Sequence, residues 1–285
     1  MSPSRRITSV TLEWARRLEN EGVHVIYGMR GLKTHSKVTL VIRREGDILR
    51  RYVHLATGNY NPTTSRLYTD LGILTADADI GADATDLFNF LTGYSHQTKF
   101  RKLFVAPVNL REKFIEMINR EIINKQKSKP AHIIAKVNSL TDVKIIHELY
   151  RASQSGIKID LIVRGVCVLR PGIEGLSENI RVVSIVWRFL EHSRIFYFAN
   201  GGNEEIYIGS ADWMRRNLDN RVEVVVPIKD RRIHRNIKDI LEVYLQDTAN
   251  SQILKPKGNY EKILPAEGQT PFDSQMHFVG MDFNK

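Results

Sequence analysis

The chain has 285 residues, 42% of them hydrophobic, and a formal net charge of +10. That length suits one large domain or two ordinary ones. No run approaches the roughly eighteen apolar residues of a membrane-spanning helix, and the N-terminal MSPSRRITSV lacks the apolar core of a secretory signal. We therefore expect a cytoplasmic protein that is not transmembrane, and peripheral association with a membrane stays open.

The cysteine count and the charge narrow the class of protein further. Cys167 is the only cysteine, which excludes an internal disulfide and a zinc site built from cysteines. The excess of 42 Lys and Arg over 32 Asp and Glu favours a polyanionic partner, such as nucleic acid, an anionic membrane surface or a polyphosphorylated substrate. Charge alone does not distinguish these partners from a basic protein without one.

The predicted elements alternate between helices and strands. In the first part of the chain, the patterns predict helices at 12–21, 83–91 and 111–126 and strands at 23–27, 36–42 and 50–56. After the polar segment KQKSKP, they predict strands at 132–137, 157–163 and 180–186, a hairpin around Gly201-Gly202, and helices at 142–153 and 231–246. Beyond about residue 253 no period is clear. This alternation is typical of an α/β fold with a parallel or mixed sheet.

One pattern of polar residues occurs twice along the chain. Each copy has a histidine, a basic residue two positions later, a strand pair ending in a small-hydroxyl-small-polar turn, and an acid eleven residues after that turn. The first copy comprises His35, Lys37, the turn at 56–59 with Asn59, and Asp70. The second comprises His192, Arg194, the turn at 209–212, and Glu223. A fixed order recurring across so many positions indicates two related lobes.

We place these lobes at residues 1–126 and 127–285, each predicted to be a mixed sheet flanked by helices. The second lobe has a strand, a helix and a further strand at 132–163 before its histidine, whereas the first has one helix and one strand. Because related lobes keep their core strands, we expect that the first lobe is truncated. The chain would then be the C-terminal part of a longer protein.

The repeated residues have the chemistry for phosphoryl transfer. Residues at i and i+2 of a strand project to one face, so His35 and Lys37 would point together, as would His192 and Arg194. Two facing lobes would place both imidazoles across one cleft, where one attacks phosphorus and the other donates a proton to the leaving oxygen. A lone histidine is more often structural, and we assign that role to the other histidines: His24, His54, His96, His132, His147, His234 and His277.

Longer stretches add a family resemblance. The two-lobed pattern resembles the phospholipase D superfamily, but that motif's aspartate is replaced by Ile42 and Ala199. The chain is more similar to the C-terminal half of bacterial polyphosphate kinases, which has a phospholipase D-like fold. The matching stretches are GVHVIYGMRGLKTHSKV (22–38), HLATGNYNPTTSRLYTDLGILTAD (54–77), LIVRGVC (161–167), GLSENIRVVSIV (175–186), LEHSR (190–194) and GSADWMRRNLDNRVEV (209–224).

The resemblance implies a role for several residues. His35 would become a phosphohistidine, and Tyr68 would contact the nucleotide. Arg164 and His192 would belong to the nucleotide-phosphate site. Phosphates would also be bound by Lys37, Arg194 and Asn59.

The implied reaction is the reversible transfer of the ATP γ-phosphate to inorganic polyphosphate, with ATP or ADP as substrate. It implies Mg²⁺ bound largely outside this chain, because only Arg5 falls near a family metal position and its surroundings do not match. We expect a homo-oligomer in the full-length enzyme, no nucleic-acid partner, and poor activity of this chain alone. The alternatives are a phospholipase D-like nuclease or nucleic-acid-binding module, and a fragment that only mediates assembly.

Overall fold

The computed structural model describes residues 3–29, 31–94 and 99–281 of the chain, and within the first helix it describes side chains from residue 12 onward. The described part of the first lobe contains two α-helices and five strands. These are α1 (Pro3–Asn20), β1 (Lys33–Thr34), β2 (Val38–Glu45), β3 (Ile48–Ala56), β4 (Tyr68–Thr69), β5 (Gly72–Thr75) and α2 (Ala78–Leu91).

The second lobe is larger and contains the remaining elements. Its first part comprises β6 (Phe104–Ala106), α3 (Leu110–Gln126), β7 (His132–Val137), α4 (Val143–Gln154), β8 (Lys158–Val163), β9 (Ile180–Ile185), β10 (Leu190–Glu191) and β11 (Ile195–Phe198). Its second part comprises β12 (Glu205–Gly209), α5 (Arg215–Asn220), β13 (Arg221–Pro227), α6 (Arg231–Leu245), β14 (Ser251–Leu254), β15 (Tyr260–Lys262) and α7 (Ser274–Gly280).

A ten-stranded mixed sheet forms the centre of the molecule, in the order β1-β13-β12-β11-β7-β8-β9-β14-β15, with β6 also paired to β13. Strands β7, β8 and β9 run parallel, while β11 and β12 form an antiparallel hairpin. Two smaller sheets complete the fold, the antiparallel β2-β3-β5 and the pair β10-β4. The α/β class and the two related lobes are therefore confirmed, although the main sheet of the first lobe is antiparallel and has only three strands.

The large sheet is buried on both faces, because its strands carry apolar residues at successive positions. On β11, Phe196 and Phe198 face the core under α3 and α4, while Ile195 and Tyr197 face the opposite core. That second core also contains Val53 and residues of α2 from the first lobe. The two lobes therefore share one continuous apolar core.

Helix α3 packs with the second lobe, although the sequence placed residues up to 126 in the first. The predicted helical spacing is confirmed, since Phe114, Met117, Ile118 and Ile122 are all buried. They pack in the same core as residues of β7, β8 and α4, and β6 pairs with β13. An amphipathic helix can pack against any available apolar sheet face. The order of elements along the chain therefore does not reveal which of the two lobes α3 packs against.

Two local expectations differ from the structure. Residues 23–27 form no strand, because an apolar run also needs a neighbouring strand to satisfy its backbone groups. The tail beyond residue 253 is ordered into β15 and α7. Asp273 caps α7 by accepting a hydrogen bond from the Met276 N–H at 3.0 Å.

Within the described residues, no helix is both long and apolar enough to cross a membrane.

Candidate active site at the junction of the two lobes

His35 is held by the second lobe. It lies between β1 and β2, and β1 runs parallel to the start of β13. The backbone N–H groups of His35 and Ser36 both donate to the Val222 carbonyl, at 2.9 and 3.0 Å. The His35 ring atom Nδ1 lies 2.8 Å from Glu223 Oε2, and the Glu223 side chain is fully buried. The histidine of one lobe is thus paired with the acid of the other.

His192 shows the reverse arrangement. It follows β10, which runs parallel to β4 of the first lobe, and its backbone N–H donates to the Thr69 carbonyl at 3.3 Å. The ring atom Nδ1 of His192 lies 2.8 Å from Asp70 Oδ1. Asp70 follows Thr69 directly, as Glu223 follows Val222. The two histidine–acid pairs are therefore related by an approximate twofold symmetry.

The hydroxyl of each repeated turn orients the acid of its own lobe. Thr57 Oγ1 donates to Asp70 Oδ1 at 2.6 Å and accepts the Leu71 N–H at 3.0 Å. Ser210 Oγ donates to Glu223 Oε2 at 2.5 Å and accepts the Val224 N–H at 3.2 Å. Because the hydrogen bonds repeat atom for atom, the shared ancestry inferred from the sequence pattern extends to the geometry.

Asp70 and Glu223 are site residues to which the sequence analysis gave no role. Both acids were part of the repeated pattern, so the signal was present. Their partners lie in the opposite lobe, 122 and 188 residues away along the chain. Spacing within one lobe cannot indicate such a pairing.

Arg194 joins the two lobes beneath His192. Its Nε and one terminal nitrogen each lie 3.2 Å from Asp212 oxygens, while the other terminal nitrogen donates to the carbonyls of Thr57 and His192, at 3.2 and 2.8 Å. Burial by itself would raise the pKa of Asp212, but the guanidinium of Arg194 holds it below its ordinary value. The predicted turn residue Asp212 therefore fixes a buried cation beside His192.

Lys37 is a second buried cation, with 6% of its surface exposed. Its ammonium donates to the His35 carbonyl. Burial lowers the pKa of Lys37 to about 8; Glu223 opposes this shift and Arg194 adds to it. Burial thus disfavours the protonated form of the Lys37 amine. A bound anion would stabilise that protonated form.

The pKa of His192 is also lowered by its surroundings. Burial lowers its pKa, the hydrogen bond to Asp70 partly offsets this, and the positive charge of Arg194 lowers it again. The ring of Tyr68 lies against that of His192, with centroids 4.9 Å apart. A cavity of about 230 Å³ opens beside Tyr68 and is also lined by Arg66, Phe189 and Gln275.

Arg164 follows β8 and is hydrogen-bonded into the same network. Its Nε and a terminal nitrogen donate to Asn138 Oδ1 at 3.0 and 2.9 Å, and Nε also donates to the Glu191 carbonyl at 2.9 Å. Asn138 in turn donates to the His192 carbonyl at 3.3 Å. Burial lowers the pKa of Arg164. The structure thus brings together four of the predicted site residues, Arg164, Tyr68, His192 and Arg194. It also brings His35 and Lys37 together around Glu223.

Asn59 stands apart from this network. It is exposed in the turn after β3, and among the described residues its backbone carbonyl accepts the Asn61 N–H at 2.9 Å. The neighbouring Gly58 packs against the site, since a Cβ there would lie 2.0 Å from Asp70 Oδ2. Only glycine fits at that position without displacing the carboxylate.

A buried polar cluster supports the segment that carries His192. Lys136 Nζ lies 3.1 Å from Glu191 Oε2 and donates to Ser193 Oγ at 2.8 Å. Gln275 of α7 donates to Glu191 Oε1 at 2.7 Å. Lone polar residues inside strands and a tail helix give no functional signal in a sequence, so this support was missed.

The described residues contain no group of three or more His, Cys, Asp or Glu side chains arranged to hold a metal ion. The side chain of Arg5 lies outside the part of the molecule that the structure describes. The described residues of the site therefore do not fit a bound Mg²⁺ ion by themselves.

Comparisons with known proteins match both lobes. The model of polyphosphate kinase C-terminal domain 1 matches residues 8–97, and that of polyphosphate kinase C-terminal domain 2 matches residues 103–275. The chain belongs to the polyphosphate kinase family. The polyphosphate kinase of Synechocystis sp. is 55% identical over 94% of this chain, and that of Pseudomonas aeruginosa is 51% identical over 93% of it.

A solved structure agrees with this family assignment. The crystal structure of a polyphosphate kinase from Porphyromonas gingivalis superposes with a TM-score of 0.88, at 40% identity, over 93% of this chain and 41% of that one. The chain spans 37% of the length of the Synechocystis relative and 38% of the Pseudomonas relative. The two matched family domains meet between residues 97 and 103, where β6 begins the second lobe, whereas the sequence placed the boundary at 126.

Proposed function

We propose that this chain forms the catalytic centre for reversible transfer of the ATP γ-phosphate to inorganic polyphosphate. The observation that carries the proposal is the reciprocal pairing of His35 with Glu223 and of His192 with Asp70 at the lobe junction. Two oriented imidazoles beside buried cations suit phosphoryl transfer through nitrogen. Family membership supports the same reaction.

His35 is the proposed nucleophile. Glu223 accepts a hydrogen bond from Nδ1, which leaves the lone pair on Nε2 and fixes the ring. Nε2 attacks the γ-phosphorus, an N–P bond forms, and the bond from that phosphorus to the bridging oxygen breaks to release ADP. The terminal oxygen of a polyphosphate chain then attacks the same phosphorus, which lengthens the chain by one phosphate and frees His35.

The remaining residues have electrostatic roles in this proposal. Lys37 and Arg194 stabilise charge on the non-bridging oxygens. Burial lowers the pKa of His192 and so favours the neutral form of its ring in the absence of substrate. Phosphates bound nearby would raise that pKa, so His192 becomes able to donate a proton to the leaving oxygen when substrate is present. Tyr68, Arg164 and His192 would bind the nucleotide, and Asn59 would contact phosphate from the exposed turn.

The wider setting is proposed on family grounds. Mg²⁺ would accompany the nucleotide, held largely by residues that this chain does not supply, and turnover by this chain alone would be slow. The full-length enzyme would be a cytoplasmic homo-oligomer. Polyphosphate would be held by the basic residues and released as salt increases, in the way that other polyanions are.

The proposal is tested by labelling a full-length polypeptide containing this chain with γ-phosphate-labelled ATP. The label should be acid-labile and base-stable, as expected of a phosphoramidate, and His35→Ala should abolish it. His24→Ala is the matched control, because His24 is an exposed histidine of the same lobe. Label persisting in His35→Ala would place the nucleophile elsewhere, with His192 the first alternative.

A further inference from the structure

Two arginines face each other near the tip of the hairpin formed by β2 and β3. The register pairs Arg43 directly with Arg50, and their side chains are 67% and 51% exposed. Like charges at directly opposed positions of an antiparallel pair repel and destabilise the hairpin. An anion bound between the two guanidinium groups would remove that repulsion and gain charge-assisted hydrogen bonds.

The protein itself neutralises this pair only in part. Glu45 is the carboxylate beside both arginines, with its oxygens 3.7 Å from Arg43 Nε and 3.5 Å from an Arg50 terminal nitrogen. Both distances exceed the upper limit of about 3.2 Å for a direct hydrogen bond. Glu45 instead accepts a 2.5 Å hydrogen bond from the Tyr52 hydroxyl. One carboxylate offsets one of two positive charges, so the pair keeps a net positive charge.

The arginine pair lies on a sheet face that begins at the candidate site. The opposite face of β2 and β3 packs in the core through Val53 and Leu55. The outer face carries Thr39 and His54, both hydrogen-bonded to the Tyr60 hydroxyl, at 3.4 and 2.5 Å. Strand β2 starts immediately after Lys37, so Lys37 and Arg43, six positions apart along an extended chain, lie about 20 Å from each other.

We propose that Arg43 and Arg50 form a second anchor for an inorganic polyphosphate chain whose end lies at the candidate site. This inference rests on the proposed function and adds a determinant of chain length. A long chain can contact Lys37 and the arginine pair together, whereas tripolyphosphate is too short to span about 20 Å. The hairpin therefore makes the protein prefer long chains over short ones by joining two weak contacts into one stronger one.

The test measures binding of long-chain polyphosphate and of tripolyphosphate to the 285-residue chain. The variant Arg43→Gln/Arg50→Gln should bind long-chain polyphosphate about tenfold more weakly, since each lost charge contact contributes about half of that loss in free energy. Its affinity for tripolyphosphate should not change. The salt dependence for the long chain should become shallower by about two counterions.

Matched variants make the result specific. Arg231→Gln/Arg232→Gln removes the same charge from exposed positions at the start of α6 and should leave long-chain binding unchanged. Arg43→Lys/Arg50→Lys keeps the charge and should keep most of the affinity. No variant should melt at a lower temperature than the parent chain, because the side chains concerned are exposed; Arg43→Gln/Arg50→Gln should melt at the same temperature or slightly higher, since it removes the repulsion between the two arginines.

Several results would overturn the inference. They are an equal loss in the α6 variant, an equal loss for tripolyphosphate, and tighter binding of a single-stranded oligonucleotide than of polyphosphate at the hairpin. Normal long-chain binding by Arg43→Gln/Arg50→Gln would reject this inference and leave the proposed function intact. Absence of polyphosphate binding by the unaltered chain would reject the proposed function itself.

Discussion

Gln275 and Glu191 connect the last helix of the chain to the segment that carries His192. The Gln275 amide donates to Glu191 Oε1 at 2.7 Å and to the Phe189 carbonyl at 2.9 Å, while its own oxygen accepts the Phe189 N–H at 2.9 Å. Gln275 is 2% exposed. One side chain thus holds both ends of a three-residue segment that ends next to His192.

We predict that Gln275→Ala loosens this segment. It leaves the buried Glu191 carboxylate and two backbone groups short of partners, at a cost of about 1–3 kcal/mol. Thermal unfolding should occur at a lower temperature, and the labelling of His35 expected from the proposed function should slow about tenfold or more. Met276→Ala is the control, because Met276 on the same helix is 45% exposed. Equal behaviour of the two variants would show that α7 plays no part in positioning His192.

Glu223→Gln should slow the labelling of His35 without preventing the protein from folding. The amide keeps the size of the carboxylate but offers its N–H to Nδ1 of His35, so the ring is held in the wrong tautomer. Labelling of His35 should slow by a factor of about 10²–10⁴, by analogy with other histidine–carboxylate pairs. Glu261→Gln is the control on β15, where the side chain is 53% exposed. A labelling rate within twofold of the parent enzyme would contradict the role given to Glu223.

Gly58→Ala should displace Asp70 from His192. The added Cβ would lie 2.0 Å from Asp70 Oδ2, so the carboxylate must move or the turn must open. We expect a loss of stability of about 1–3 kcal/mol and a slower rate of ADP release. Gly280→Ala is the control, because nothing lies within 4 Å of a Cβ at that position. Unchanged melting temperature and rate in Gly58→Ala would show that the turn accommodates the methyl group.

The pKa of Lys37, lowered to about 8 by burial, predicts how the rate and the stability depend on pH. Above about pH 8 the amine loses its charge in the free protein, so phosphate binding and labelling should weaken as pH rises through this value. Lys37→Arg should move that decline to higher pH, because a guanidinium stays charged. The measurement is the pH profile of labelling for both proteins, and superimposed profiles would exclude Lys37 as the titrating group.

The same shift has a defined sign for stability. The folded pKa lies below the unfolded value near 10.5, so between about pH 8 and 10.5 the unfolded chain binds more protons at Lys37. The contribution of this residue to the free energy of unfolding therefore increases as pH rises through that window. Lys37→Met should flatten the dependence, as measured by denaturant unfolding at several pH values.

Features that depend on residues close together in the sequence could be predicted, whereas contacts between residues far apart in the sequence could not. Helix α3 and strands β7, β8 and β11 were predicted because their patterns are local, as with the buried series Phe114, Met117, Ile118 and Ile122. The repeat indicated two lobes and drew attention to His35 and His192. The exchange of acids between lobes could not be predicted, because Glu223 reaches His35 from 188 residues away. The helical order of residues 274–280 was also missed, since it depends on contacts such as the one from Gln275 to Glu191.

The exchanged acids mean that neither lobe owns a complete histidine–carboxylate pair. A lobe folded by itself would present an unpaired histidine and, elsewhere, an unpaired acid. The arrangement is that expected of a symmetric dimer whose two subunits became one polypeptide, with the two histidine–acid pairs free to diverge afterwards. It also makes the chemistry depend on how the two lobes pack together. A shift of one lobe relative to the other would separate both imidazoles from their carboxylates at once.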